Sequence, residues 1–149
     1  MEKKITIILA EDDIDDQMFI KKACNQIKRK DDIVLIIVSD GEELLDYLYK
    51  RKSFKNKKIA RPDMILMDLN MPKKHGLEVV VEIREDEKLK SIPIIILSSS
   101  DSVEDIENSY LKGVNSYITK PNMYSKYKEI MNRIEDFWID IAKLPKGGL

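Results

Sequence analysis

The chain has 149 residues, 43% of them hydrophobic and 36% charged, and a formal net charge of −1. That balance predicts one soluble domain with its own core, and it argues against a basic field for nucleic acid or a polybasic flank for a membrane surface. No apolar run approaches the ~20 residues that cross a bilayer, the start lacks a signal-peptide h-region, and the lone Cys24 forms no internal disulfide, so the expected compartment is the cytoplasm.

Ile5–Ala10 reads as a buried strand because β-branched residues dominate it. It ends in Glu11-Asp12-Asp13, with Asp15 and Asp16 close behind. A helix is expected from 14 to about 29, with Ile14, Met18 and Ile27 facing inward and Cys24 as a small core residue. Capping and the helix dipole account for Asp15 and Asp16. They account less well for Glu11 and Asp12, which close the strand itself. Ile33–Val38 is a second strand. Asp40 then caps a second helix, with Glu43 three residues on as in a capping box, and Leu44, Leu45 and Leu48 mark its buried face. The basic stretch 51–61 reads as a solvated loop.

Met64–Met67 is a continuous apolar run between Pro62 and Pro72, the pattern of a strand buried on both faces. Asp68 stands at its carboxyl end. Lys73-Lys74-His75-Gly76 makes a turn in which the only histidine is exposed, and Leu77, Val80 and Ile83 carry a third helix. Residues 92–97 form a fourth buried strand running into Ser98-Ser99-Ser100. Val103, Ile106 and Tyr110 have helical spacing, and Gly113 terminates that helix. Ser116–Thr119 is a short fifth strand closed by Lys120-Pro121. Tyr127, Ile130, Met131, Ile134, Phe137, Trp138 and Ile141 repeat at i, i+3, i+4, i+7, i+10, i+11 and i+14, the clearest amphipathic helix in the chain. Tyr47, Tyr49, Tyr124 and Tyr127 read as helix packing or surface.

Five strands alternating with five helices predict right-handed crossovers and a doubly wound parallel sheet in a three-layer α/β/α arrangement. No repeat or linker divides residues 1–149, with a core over about 5–135 and a helical extension and tail over about 136–149. The flavodoxin-like order 2-1-3-4-5 sets strands one and three side by side at the switch point, where ligands gather. The strand ends then offer Glu11 and Asp12, Asp68, Ser98 and Lys120. Crowded carboxylates share protons or hold a cation, and an all-oxygen set with few ligands suits Mg²⁺. Lys120 can balance a phosphoryl group, and Ser98 can donate its hydroxyl. These parts suit phosphoryl transfer onto Asp68 as the nucleophile.

Glu11-Asp12, Asp68-Leu69-Asn70-Met71-Pro72, Gly76, Ser98 and the segment 113–121, ending in Tyr117-Ile118-Thr119-Lys120-Pro121, resemble the receiver domain of two-component response regulators over residues 5–122. The resemblance implies a stand-alone receiver whose Asp68 takes a phosphoryl group from a phosphohistidine of a sensor histidine kinase. It implies that Asp12, Asp68 and the backbone carbonyl of Asn70 bind Mg²⁺, with Glu11 acting through a water. It makes Ser98 and Tyr117 the switch pair and sets Lys120 on the phosphoryl oxygens. Ser98 stands where Thr is common, His75 where Asp or Asn often precedes the glycine, and Asn122 where an aromatic often follows Lys-Pro. None of these removes a catalytic part.

The basic insertion, the turn 72–76 and the ending from Ile134-Glu135-Asp136-Phe137-Trp138 through Leu144-Pro145 are similar to single-domain regulators associated with bacterial and cyanobacterial phytochrome kinases. Only one helix and a tail follow Pro121, too little for a DNA-binding module. The expected output is protein–protein contact or onward phosphotransfer, with no enzyme activity beyond self-phosphorylation and autodephosphorylation. The apolar end, with Phe137, Trp138 and Ile139, predicts a homodimer or partner contact, the competing reading being that Phe137 and Trp138 fold back on the core. A Mg²⁺-dependent phosphatase of the haloacid dehalogenase type is the alternative from enzymology, but it needs a second Asp where Asn70 stands. A degenerate, phosphorylation-independent receiver is the other alternative, and the intact Glu11, Asp12, Asp68, Ser98 and Lys120 speak against it.

Overall fold

Along β1 (Ile5–Ala10) successive side chains part across the sheet: Ile8 and Ala10 enter one core, Ile7 and Leu9 the other. The same division runs through β3 (Met64–Met67), where Ile65 and Met67 oppose Met64 and Leu66, and through β4 (Ile94–Ser98), where Ile94 and Ile96 oppose Ile95 and Leu97. With both faces covered, these strands read as unbroken apolar runs rather than alternations. The structure, a computed structural model, describes residues 4–147. Its five parallel strands, with β2 at Ile33–Val38 and β5 at Ser116–Thr119, lie in the order β2-β1-β3-β4-β5.

The helices are α1 (Ile14–Cys24), α2 (Gly41–Leu48), α3 (Gly76–Glu85), α4 (Val103–Lys112) and α5 (Tyr124–Ile134). Residues of α2 and α3 fill the first core, and residues of α1 and α5 fill the second. The register pairs Ala10 with both Val38 and Met67, Met67 with Ile96, and Ser98 with Thr119. The carboxyl ends of β1, β3, β4 and β5 therefore open on one rim. No helix among the described residues is long and apolar enough to cross a membrane.

Several local expectations are corrected. Helix α1 stops at Cys24 rather than near 29, because the N–H of Asn25 already reaches both Lys21 O and Lys22 O, and Gln26 bonds only three residues back. Its buried face is Ile20, Ala23 and Cys24, with Ile27 buried just past its end, while Ile14 and Met18 lie across the helix and are exposed. Strand β4 starts at Ile94 because Pro93 has no N–H for the ladder. On α4, Val103 and Tyr110 are exposed, Ile106 is half-buried and the buried residue is Ser109. Gly113 does end that helix, at φ 111°, a left-handed conformation that costs glycine little. His75 is half-buried rather than exposed, and its Nδ1 accepts the Leu77 N–H to cap α3.

A further correction concerns the C-terminal stripe. Tyr127, Met131 and Ile134 are buried as expected. Past Ile134 the chain turns into a π-helix over Glu135–Ile141, and the N–H of Ala142 bonds Phe137 O, five residues back. Each such turn holds an extra residue, so the inward seat passes to Ile139, 8% exposed, while Phe137 at 53% and Ile141 at 69% face outward. Trp138 is half-buried and packs edge-on against Phe137 at 5.2 Å between centroids. Arg29 clamps this segment: its backbone N–H donates to the buried Glu135 at 2.7 Å, and its guanidinium reaches Asp140 at 3.0 Å.

Candidate functional site

Asp68 leaves β3 with its N–H still bonded to Ala10 O at 3.0 Å, so the ladder fixes its backbone. The Leu69 N–H donates to Asp68 Oδ1 at 2.7 Å, and Lys120 Nζ holds Oδ2 at 3.0 Å. Behind it, α3 presses Gly76 against the same loop: a Cβ there would stand 2.6 Å from Asp68 O and 2.9 Å from Leu69 Cα. Only glycine allows that approach. Lys120 follows β5, and its backbone N–H donates to Ser98 O at 2.7 Å, which points the chain end into the rim.

The Lys120 ammonium meets three carboxylates, Glu11 at 2.6 Å, Asp16 at 2.7 Å and Asp68 at 3.0 Å. An ammonium has three N–H donors, so all are spent. Burial favours the neutral amine of Lys120, but the hydrogen bonds it donates to Asp16, Glu11 and Asp68 outweigh that effect and hold its pKa above the usual lysine range. Glu11 is 1% exposed, and burial pushes its carboxyl up to about 7, against the lowering effect of Lys120 and of the Asp13 N–H.

Oxygens of Glu11, Asp12 and Asp68 lie within 4.8 Å of one another. Asp12 is exposed while the other two are buried, so the group has an open side. An all-oxygen donor set carrying this much negative charge fits a hard divalent cation. Asn70 lies exposed in the loop two residues past Asp68. A second acidic group, Glu135, Asp136 and Asp140, is also compact, but Arg29 already bonds Glu135 and Asp140.

Ser98 is fully buried at the end of β4, and its Oγ accepts the Ser100 N–H at 3.3 Å. Tyr117 packs against the first core, and its hydroxyl donates to Ser100 O at 2.7 Å. Both members of the expected switch pair thus bond the same residue, Ser100, which sequence reasoning left as one of a serine triplet. Asp16 and Tyr127 were missed as site residues too. The cap of α1 is Asp13 rather than Asp16: Asp13 accepts the Asp16 N–H at 2.9 Å and leaves the Asp16 carboxylate free for the rim. Tyr127, read as stripe packing, donates its hydroxyl to Asp16 Oδ1 at 3.0 Å. The usable signal was Asp16's place in the first helical turn after a strand-end Glu-Asp pair.

The model of the family described as "Response regulator receiver domain" matches residues 8–135. Response regulator Rcp1 of Synechocystis sp. is 38% identical over 111 residues, 74% of each chain. The crystal structure of the phosphorylated cyanobacterial phytochrome response regulator RcpA superimposes with a TM-score of 0.87 at 40% identity, covering 96% of this chain and 99% of that one. The Mn²⁺-bound form of Rcp1 gives a TM-score of 0.84 at 33% identity, covering 95% and 99%. Five parallel strands in the order 2-1-3-4-5, an acidic rim joined by a lysine and a family match over most of the chain lead to one conclusion: this protein belongs to the response regulator receiver domain family.

Proposed function

We propose that Asp68 accepts a phosphoryl group from the phosphohistidine of a sensor histidine kinase in a Mg²⁺-dependent reaction, and that the phosphorylated form signals by protein–protein contact or onward phosphotransfer. One observation carries the reading: a single lysine, Lys120, bonds both the strand-end Asp68 and Glu11 of the neighbouring acidic pair. Mg²⁺ would be held by Asp12, Asp68 and the Asn70 backbone carbonyl, with Glu11 acting through a water. When bound, it supplies positive charge against the oxygens of the transferring group.

The chain's own residues position the rest. The Leu69 N–H and Lys120 fix both oxygens of Asp68, so the carboxylate meets the donor with little freedom left to lose. A carboxylate oxygen forms the new bond to phosphorus as the phosphorus–nitrogen bond of the donor breaks, and that electron pair leaves on the imidazole. Lys120 then faces the phosphoryl oxygens as a compact positive charge. The Ser98 hydroxyl turns from Ser100 toward the phosphoryl group, and Tyr117, bonded to Ser100 O, registers the movement.

A phytochrome-type kinase is the partner favoured by the likeness to RcpA and Rcp1. The outward-facing Phe137 and Ile141 on the extension beyond residue 135 support a subunit contact, a homodimer being the commonest form. Family membership removes the support for a phosphatase of the haloacid dehalogenase type. The test is intact-mass analysis after incubation with acetyl phosphate. The wild type gains one phosphoryl group with Mg²⁺ and none with a chelator, and Asp68→Asn gains none. Equal labelling of Asp68→Asn would overturn the assignment.

A further inference from the structure

Resting on the phosphoacceptor reading above, we propose that Asp16 is a positioning residue for phosphoryl transfer: held by Tyr127, it aims the Lys120 ammonium at Asp68. Lys120 bonds one carboxylate from each of three elements, at the end of β1, on α1 and at the end of β3. Two of those bonds are committed to the reaction. Asp68 loses negative charge when its oxygen is esterified, so its 3.0 Å bond is the one phosphoryl oxygens replace. Glu11 belongs to the acidic group that would hold the cation. Asp16 alone stands outside both and remains a full anchor before and after transfer.

Asp16 is itself fixed. Its Oδ2 takes Lys120 at 2.7 Å and its Oδ1 takes the Tyr127 hydroxyl at 3.0 Å. Tyr127 is 3% exposed on α5, with Phe19 packed at 5.6 Å between centroids, so its ring cannot swing away without opening the α1–α5 contact. A lysine stem is long and flexible, and its head finds one position only where several acceptors fix it. The connected path Tyr127–Asp16–Lys120–Asp68 thus links α5 to the nucleophile through direct hydrogen bonds.

The test compares phosphorylation rates with acetyl phosphate and Mg²⁺ for wild type, Asp16→Ala, Asp16→Asn, Tyr127→Phe, Lys120→Ala and the Asp16→Ala/Lys120→Ala double variant. Asp16→Ala should slow labelling roughly tenfold, with the Mg²⁺ concentration for half-maximal labelling changed by less than about twofold. Asp16→Asn, which keeps an oxygen for Lys120, should recover part of the rate. Tyr127→Phe, which deletes one oxygen and keeps the packing, should slow labelling less and in the same direction. In the Lys120→Ala background the loss of Asp16 should add nothing, the mark of residues acting as one unit. An unchanged rate in Asp16→Ala overturns the proposal, as does an equal loss in the Lys120→Ala background. If the wild type takes up no label at Asp68, the phosphoacceptor reading itself falls; if it labels and Asp16→Ala matches it, only the role of Asp16 does.

Discussion

Replacing Ile139 and Phe137 separately by alanine tests the π-helical ending, because a continued α-helix predicts the opposite ranking. At 3.6 residues per turn Phe137 extends the buried stripe and Ile139 lies off it. In the structure Ile139 is 8% exposed in the second core and Phe137 is 53% exposed. Emptying a buried isoleucine to alanine costs roughly 2–4 kcal/mol, the transfer of three carbons plus a cavity. Truncating a half-exposed phenylalanine should cost under about 1 kcal/mol, since most of its contact is with water and with one edge of Trp138. Urea unfolding at submicromolar protein, where subunit association drops out, should give a clear midpoint loss for Ile139→Ala and a small one for Phe137→Ala, at similar slopes. A larger loss for Phe137→Ala would refute the register shift.

Three further outcomes follow from other parts of the molecule. Gly76→Ala should destabilise the protein by roughly 1–3 kcal/mol and slow labelling of Asp68, because the new Cβ meets Asp68 O at 2.6 Å; an unchanged midpoint would contradict the close approach. Burial pushes the Cys24 thiol up to about 12. The folded state therefore keeps its proton where the unfolded chain, near 9, gives it up, so stability is intact below pH 9 and falls as pH rises toward 12. A thiol reagent at pH 8 should react only as fast as urea opens the fold. Phe137→Asp should sediment as a monomer at tens of micromolar under conditions where the phosphorylated wild type is a dimer, and a monomeric wild type in both states would leave only a different partner for this surface.

The strand order and the rim were legible because buried parallel strands carry an unmistakable apolar run, and because Asp68, Ser98 and Lys120 each close one. Capping chemistry was also readable: Asp40 accepts the Glu43 N–H at 2.7 Å, and Gly113 ends α4 in a left-handed conformation. What escaped was information carried between elements. Ile14 and Met18 satisfy helical spacing as well as Ile20 and Cys24 do, and only the direction of the sheet decides which pair is buried. The π-turn after Ile134 has no local signature, and the residue that bonds its segment, Arg29, reaches Glu135 and Asp140 across more than a hundred residues. Asp16 was hidden for the same reason: a first-turn acid is an ordinary helix feature until Lys120 and Tyr127 arrive from β5 and α5.

If Asp68 is the phosphoacceptor, the phosphorylated protein holds an acyl phosphate at that position. After incubation with acetyl phosphate and Mg²⁺, borohydride reduces an acyl phosphate to the alcohol, so peptide mapping should find homoserine at position 68 and unmodified aspartate at 12 and 16. Homoserine at 12 or 16 with Asp68 intact, or a borohydride-resistant phosphate on Ser98, would rule out Asp68 as the phosphoacceptor.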